Sequence, residues 1–149
     1  MNVPKLRFKE FNDEWKITTI DEQCEVFGRI GFRGYTTNDL VEKGQGAISL
    51  SPSNIKGTSL NIEKENTYIS MFKYEESPEI KIFNNDIIFV KTGSSYGKVA
   101  LVENLNELAT INPQLIVLKN IKCNNKVLCE LINDSRIQNQ VNQTIAGGT

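Results

Sequence analysis

Ile87-Ile88-Phe89-Val90, Lys98-Val99-Ala100-Leu101-Val102 and Gln114-Leu115-Ile116-Val117-Leu118 are the stretches on which the fold turns. Each is a short apolar run rich in β-branched residues. Turn formers bound them at Asn84-Asn85, Gly93-Ser94-Ser95 and Asn112-Pro113. That combination predicts three strands. The glycine-containing loop between the first two predicts an antiparallel connection.

Downstream, residues 125–145 read as helix. Val127, Leu128, Leu131 and Ile132 share one face, and Ile137, Val141 and Ile145 continue at a spacing of four. The sequence closes on Ile145-Ala146-Gly147-Gly148-Thr149, a helix stop aimed at a next element, so the expectation is a piece of a longer protein. Upstream, residues 60–85 are acidic, with a helix predicted near Glu65–Glu76 and broken by Pro78. Residues 28–59 carry six glycines among serines and Pro52, which predicts loops and short strands, Ala47-Ile48-Ser49-Leu50 foremost. Long ordered loops of this kind are where function usually sits. Trp15-Lys16-Ile17-Thr18 alternates as a short strand would. Thr19-Ile20-Asp21-Glu22 has the spacing of a capping box, which predicts a helix of about two turns ending near Gly28. Residues 1–13 are polar and read as a lead-in arm, and residues 14–149 as one domain.

Composition removes several function classes. The chain has 149 residues, 39% of them hydrophobic and 23% charged, as a globular domain does. It contains 0 histidines, so Ser–His–Asp and Cys–His catalysis are excluded. Cys24, Cys123 and Cys129 form no CxxC pair, and without histidine no zinc pattern exists. Neither a metal nor a cofactor is expected. Glu75 and Glu76 are adjacent and cannot face one another across a helix, which disfavours a paired-carboxylate hydrolase. There is no apolar run of membrane-spanning length and no signal-peptide core near the start, so the expected compartment is the cytoplasm.

Three segments combine cations, hydroxyls or amides, and glycine. In Gly28–Thr37, Arg29 and Arg33 alternate with glycines and aromatics, followed by Tyr35 and Thr36. Arginine can pair bidentately with phosphate or guanine, and the hydroxyls can donate to phosphate. An ordinary surface turn with scattered arginines would read the same way. In the second segment, Ser51, Ser53, Asn54 and Lys56 cluster on one loop. Asparagine can read adenine, although serine and asparagine are also plain turn formers. The third, Lys91–Lys98, holds Thr92, Ser94, Ser95, Tyr96 and Lys98. It lacks the GxxxxGK[ST] spacing of a mononucleotide loop but suits a clamp on a DNA backbone, or a simple hairpin loop. Net charge is −1, yet residues 28–59 carry four cations against two acids, so one face can still be positive. These segments are expected to converge on one face, with Arg33 at a base edge and Lys98 at a phosphate.

Taken in order, the segments resemble a known family. Val3-Pro4-Lys5-Leu6-Arg7-Phe8 with Glu14-Trp15-Lys16 resembles the start of specificity subunits of type I restriction–modification systems. Asn85-Asp86-Ile87-Ile88-Phe89 is similar to their Gly-Asp-Ile-Leu strand, with asparagine in place of glycine. Gly93–Val102, then Asn112-Pro113-Gln114 and a strand, resemble later strands, and Thr144–Thr149 resembles the exit from a target recognition domain. The resemblance implies an α+β fold of short twisted strands with flanking helices, reading one half of a bipartite site in double-stranded DNA. It implies that methyl transfer lies in modification subunits docked on long spacer helices, and that restriction subunits join through them. The spacer helices and second recognition domain of the full pattern are missing here. Two alternatives stay open. One is an adenine methyltransferase fragment, whose Asn/Asp-Pro-Pro-Tyr/Phe segment Asn112-Pro113-Gln114 fails to match at the second proline. The other is a β-rich protein- or carbohydrate-binding module.

Overall fold

The computed structural model of the chain describes residues 4–146. Val3, at the head of the opening motif, and Gly147–Thr149, at the closing one, lie outside the described residues. In chain order, α1 (Ile20–Gln23) is followed by β1 (Glu25–Gly28). Two single-turn 3-10 helices, Gly31–Arg33 and Thr37–Asp39, lead to β2 (Leu40–Val41) and β3 (Gly46–Leu50). A third, Pro52–Asn54, precedes the hairpin strands β4 (Ile55–Lys56) and β5 (Ser59–Leu60). β6 (Tyr68–Ser70) runs into α2 (Met71–Glu76) and a 3-10 turn at Pro78–Ile80. Then come β7 (Ile87–Val90), β8 (Val99–Leu101), β9 (Ala109–Ile111) and β10 (Leu115–Lys119). Helices α3 (Asn125–Asn133) and α4 (Ser135–Ala146) complete the order.

The fold is mixed α+β. One sheet has six strands in the order β1-β10-β7-β8-β5-β4, and the other has four in the order β2-β6-β3-β9. The three apolar runs form the centre of the larger sheet, and β7 and β8 pair antiparallel as their loop predicts. Their side chains alternate between two cores, as a pleated strand requires. Ile88, Val90, Ala100, Leu115 and Val117 meet Ile48, Leu50, Tyr68, Ala109 and Ile111 of the smaller sheet. Ile87, Val99, Leu101 and Leu118 point the other way and pack with Cys24 and with Leu128, Cys129 and Ile132 of α3. The architecture is therefore sheet, sheet, helix. Within the smaller sheet, β3 and β6 lie close enough to exclude a side chain at one position. At Gly46, a Cβ would stand 1.9 Å from the Ile69 carbonyl oxygen of the neighbouring β6.

Four local expectations are corrected. Trp15–Thr18 forms no strand; the Thr18 hydroxyl instead donates to the Glu22 carboxylate (2.8 Å) and accepts from Gln23 (2.9 Å), which turns the segment into the lead of α1. The Thr19–Glu22 capping box is present, but α1 is a single turn. Gly28 does not cap it, because residues 25–28 pair with β10, Val26 opposite Leu118 and Gly28 opposite Ile116. The acidic helix is confined to Met71–Glu76, since Tyr68 and Ile69 are claimed by pairing with Ile48 and Ala47. The long C-terminal helix is two helices. Asp134 interrupts it, accepting from Arg136 N (3.0 Å) and Arg136 Nε (2.8 Å). Val127 and Leu131, expected on the inner face, are exposed, and Cys129 takes the inner place.

Two outcomes are expected. Gly46→Ala forces β3 away from β6, so chemical denaturation is expected to show a loss of about 2–4 kcal/mol, beyond the usual cost of a small residue change. Burial pushes the Cys129 thiol up to about 11, whereas Cys123 is exposed. Iodoacetamide at pH ~8 is expected to modify Cys123 first and to reach Cys129 only on unfolding, as mass spectrometry of the native and denatured chain will show.

Candidate functional site

The strand registers bring several loops to one edge of the sheets. Asn112 N donates to the Leu50 carbonyl and Lys91 N to the Gln114 carbonyl, both at 2.8 Å. The C-terminal ends of β3, β7 and β9 and the start of β10 are thereby tied together. β1 ends at the same level, Gly28 lying opposite Ile116 with Lys91 Nζ 3.7 Å from where its Cβ would be.

The glycine-rich segment leaves from this edge but turns its arginines inward. Arg29 is buried, at 7% exposure. Its Nε donates to the Ile111 carbonyl (3.1 Å), its Nη2 to Thr110 Oγ1 (3.2 Å) and its Nη1 to the Arg33 carbonyl (3.3 Å). The guanidinium also lies 5.1 Å from the centre of the Tyr35 ring. Burial, the largest influence, pushes its pKa down from the usual arginine value. Every nitrogen of Arg29 is committed, so the expectation that it faces a ligand is corrected: it fastens the loop to β9. Tyr35 shares its hydroxyl with Ser49 Oγ at 2.7 Å. Thr36 is the cap of the next 3-10 turn, accepting from Asn38 N and donating to Asp39. Arg33 is half-buried and donates to Glu79 Oε1 (3.4 Å) and the Glu76 carbonyl (3.5 Å). It is an ion-paired residue.

The second segment divides. Asn54 is buried at 2% exposure. Its Oδ1 accepts from Ser51 N (2.9 Å), and its Nδ2 donates to the Asn61 carbonyl (3.0 Å) and Asn66 Oδ1 (2.8 Å). Asparagine here is a loop strut, and its expected role as a reader of bases is corrected on that ground. The hydroxyls of Ser51 and Ser53 meet at 2.7 Å, and Lys64 Nζ donates to Ser53. Lys56 lies elsewhere, in a separate depression that also presents Glu63 and Glu103.

What the fold does bring together is the turn after β3 and the loop between β7 and β8. Ser51, Pro52, Ser53 and Ile55 line one side of an open depression of about 500 Å³. Ser94, Ser95 and Lys98 line it from the second loop, and Gln114 joins from the turn before β10. Four hydroxyls, one amide and one ammonium converge there, and no carboxylate is among the lining residues. Thr92 is exposed on the same loop. Tyr96 is turned away from the depression: its ring meets Phe89 edge-on at 6.1 Å and its hydroxyl pairs with Thr144 Oγ1 at 3.3 Å. Gln114 is read from the sequence as the head of a strand and not as a candidate contact residue. Its side-chain amide is held by Asn112, whose Nδ2 donates to Gln114 Oε1 at 3.2 Å. The signal available was an amide behind an Asn-Pro turn at the head of a strand. Lys64, 11 residues from the serine it holds, carries no local signal.

Hydroxyls, an amide and one ammonium without a carboxylate suit an anion or a polar edge. Among the described residues no group of three or more His, Cys, Asp or Glu side chains could hold a metal. No helix among them is long and apolar enough to cross a membrane. No protein-family model matches the chain, and no curated protein matches it.

Arg29→Met keeps the aliphatic length but leaves the Ile111 carbonyl and the Thr110 hydroxyl without their donor. The expected cost is about 2–4 kcal/mol in urea denaturation, from buried acceptors left unpaired. A change under about 0.5 kcal/mol would mean that these contacts do not hold the loop.

Proposed function

We propose that the chain recognises double-stranded DNA through the depression between the Ser51–Ile55 turn and the Ser94–Lys98 loop. In this reading it supplies target recognition for one half-site to a type I restriction–modification complex. It carries no catalysis of its own, and the modification and restriction subunits perform the chemistry. The observation that carries the reading is the convergence of Ser51, Ser53, Ser94, Ser95, Gln114 and Lys98 with no carboxylate among the lining residues, in a chain of net charge −1. An acidic chain repels a phosphate backbone unless its carboxylates are kept from the contact surface. Glu63 and Glu103 stand instead with Lys56 at the second depression, and Glu79, Glu76 and Glu75 pair with Arg33, Lys73 and Lys81.

The roles divide by chemistry. Lys98 is a flexible point charge and suits a phosphate, as do the serine hydroxyls beside it. Gln114 presents a held amide, the group that can bond the N6 and N7 edge of adenine. It takes the base-edge role in preference to Arg33, whose guanidinium is engaged with Glu79. The order of motifs along the chain supports the family assignment, and the isolated chain is expected to bind weakly, because a half-site offers few base contacts.

Gel shifts of the full chain with duplex DNA across a salt series test this. Affinity is expected to fall steeply with salt, and Lys98→Ala to weaken all sequences alike and lower the salt slope by roughly one unit. Gln114→Ala is expected to relax preference at one base pair. Lys56→Ala is expected to leave binding unchanged. Absence of duplex binding at low salt, or binding indifferent to salt, overturns the reading.

A further inference from the structure

The loop that brings Ser94, Ser95 and Lys98 to the depression is not held by the sheet alone. Gly97 N donates to the Val90 carbonyl at 2.9 Å, and Lys98 N to the Ser95 carbonyl at 3.1 Å. The carbonyl of Gly97 takes its hydrogen bond from α4 instead, where Gln138 Nε2 donates to it at 2.9 Å. The same nitrogen donates to the Ile132 carbonyl at 2.9 Å. That carbonyl belongs to the last turn of α3, where carbonyls have no partner within the helix. The Asp134 break that ends α3 thus creates an acceptor that Gln138 shares with the loop.

The fit is close. Gly97 has φ +94°, and a Cβ on it would stand 2.7 Å from Gln138 Oε1 and 3.6 Å from Val141 Cγ1. One residue earlier, Tyr96 reaches α4 through Thr144. Two consecutive loop residues are therefore fastened to one helix, on the side away from the depression.

We propose that Gln138 is a positioning residue for DNA recognition: by tying Gly97 to the α3–α4 junction it fixes where the Ser94, Ser95 and Lys98 groups stand. This rests on the DNA reading above. It adds that α4, which lends no side chain to the depression, sets the geometry of one wall of it. A change in the direction of α4 is transmitted to the recognition surface through the Gln138 amide, with the Tyr96–Thr144 contact beside it.

Gln138→Met tests this in the full chain, since methionine keeps the length but donates nothing. Gln138→Asn is the second variant, keeping the amide but one methylene short of Gly97. Amide hydrogen exchange is measured on the unbound proteins, duplex affinity by the same salt series, and thermal stability alongside. Either variant is expected to speed exchange at Gly97 and Lys98 by about tenfold or more, with Ile48 and Ile88 amides unchanged. Duplex affinity is expected to fall several-fold, with the preference among sequences blunted, at an unaltered melting temperature. Unchanged exchange at Gly97 and Lys98 overturns the brace. Faster exchange with full duplex affinity overturns its role in recognition. If the parent chain binds no duplex, the DNA reading fails by itself, and the exchange comparison still decides whether Gln138 holds the loop.

Discussion

The central strands β7, β8 and β10 have no polar face. Ile87 and Phe89 pack to one side and Ile88 and Val90 to the other; Val99 and Leu101 oppose Ala100, and Ile116 and Leu118 oppose Leu115 and Val117. A sheet of this kind cannot leave either surface to water, so it must be covered twice. The smaller sheet supplies one cover and α3 the other. Once both are seated, the strand ends are level, and the loops between them have little freedom about where to emerge. The depression is a consequence of that double burial: its two walls come from strands in different sheets, held together by the Asn112–Leu50 and Lys91–Gln114 backbone bonds.

The central strands were legible because burial on both faces writes itself as an uninterrupted apolar run, and β3 because Ala47–Leu50 is such a run too. The edge strands were not. β4, β5 and β2 are two residues each, too short for any periodicity to show. β1 was hidden by a stronger local signal, the capping box at Thr19, whose helix stops after one turn because Val26 and Phe27 find partners in β10. Those partners, Leu118 and Val117, lie about ninety residues downstream. The break at Asp134 was invisible for a different reason: an aspartate with an arginine two residues on is unremarkable inside a helix until its carboxylate is seen capping the second one.

The candidate site was legible in kind and less so in membership. Of the three hydroxyl- and glycine-rich loops, two meet at one depression. Which of their side chains face outward depends on acceptors elsewhere in the chain. Arg29 reads as a ligand-facing cation because the acceptors that hold it, Thr110 and Ile111, are 81 and 82 residues away. Asn54 shows the same limit at shorter range, since Asn61 and Asn66 look like solvated loop residues until they close around it. Polar loop residues thus either brace the fold or face outward, and composition cannot divide them. The partner's position in the fold can.

The pairing of β1 with β10 also orders events in time. The larger sheet gains its outer strand only when residues 115–119 exist to receive residues 25–28. β3 waits similarly for β9, with which it pairs in parallel, Ile48 beside Ala109. Closing loops of that length costs entropy before any contact repays it. On an emerging chain, the first half can therefore pair β2, β6 and β3 and close the β4–β5 hairpin, but it has no partner yet for β1 and no centre for the larger sheet. Completion of the larger sheet is a late step, slow by the standard of helical domains of this size, and the apolar strand edges stand open to wrong partners until the final strand arrives.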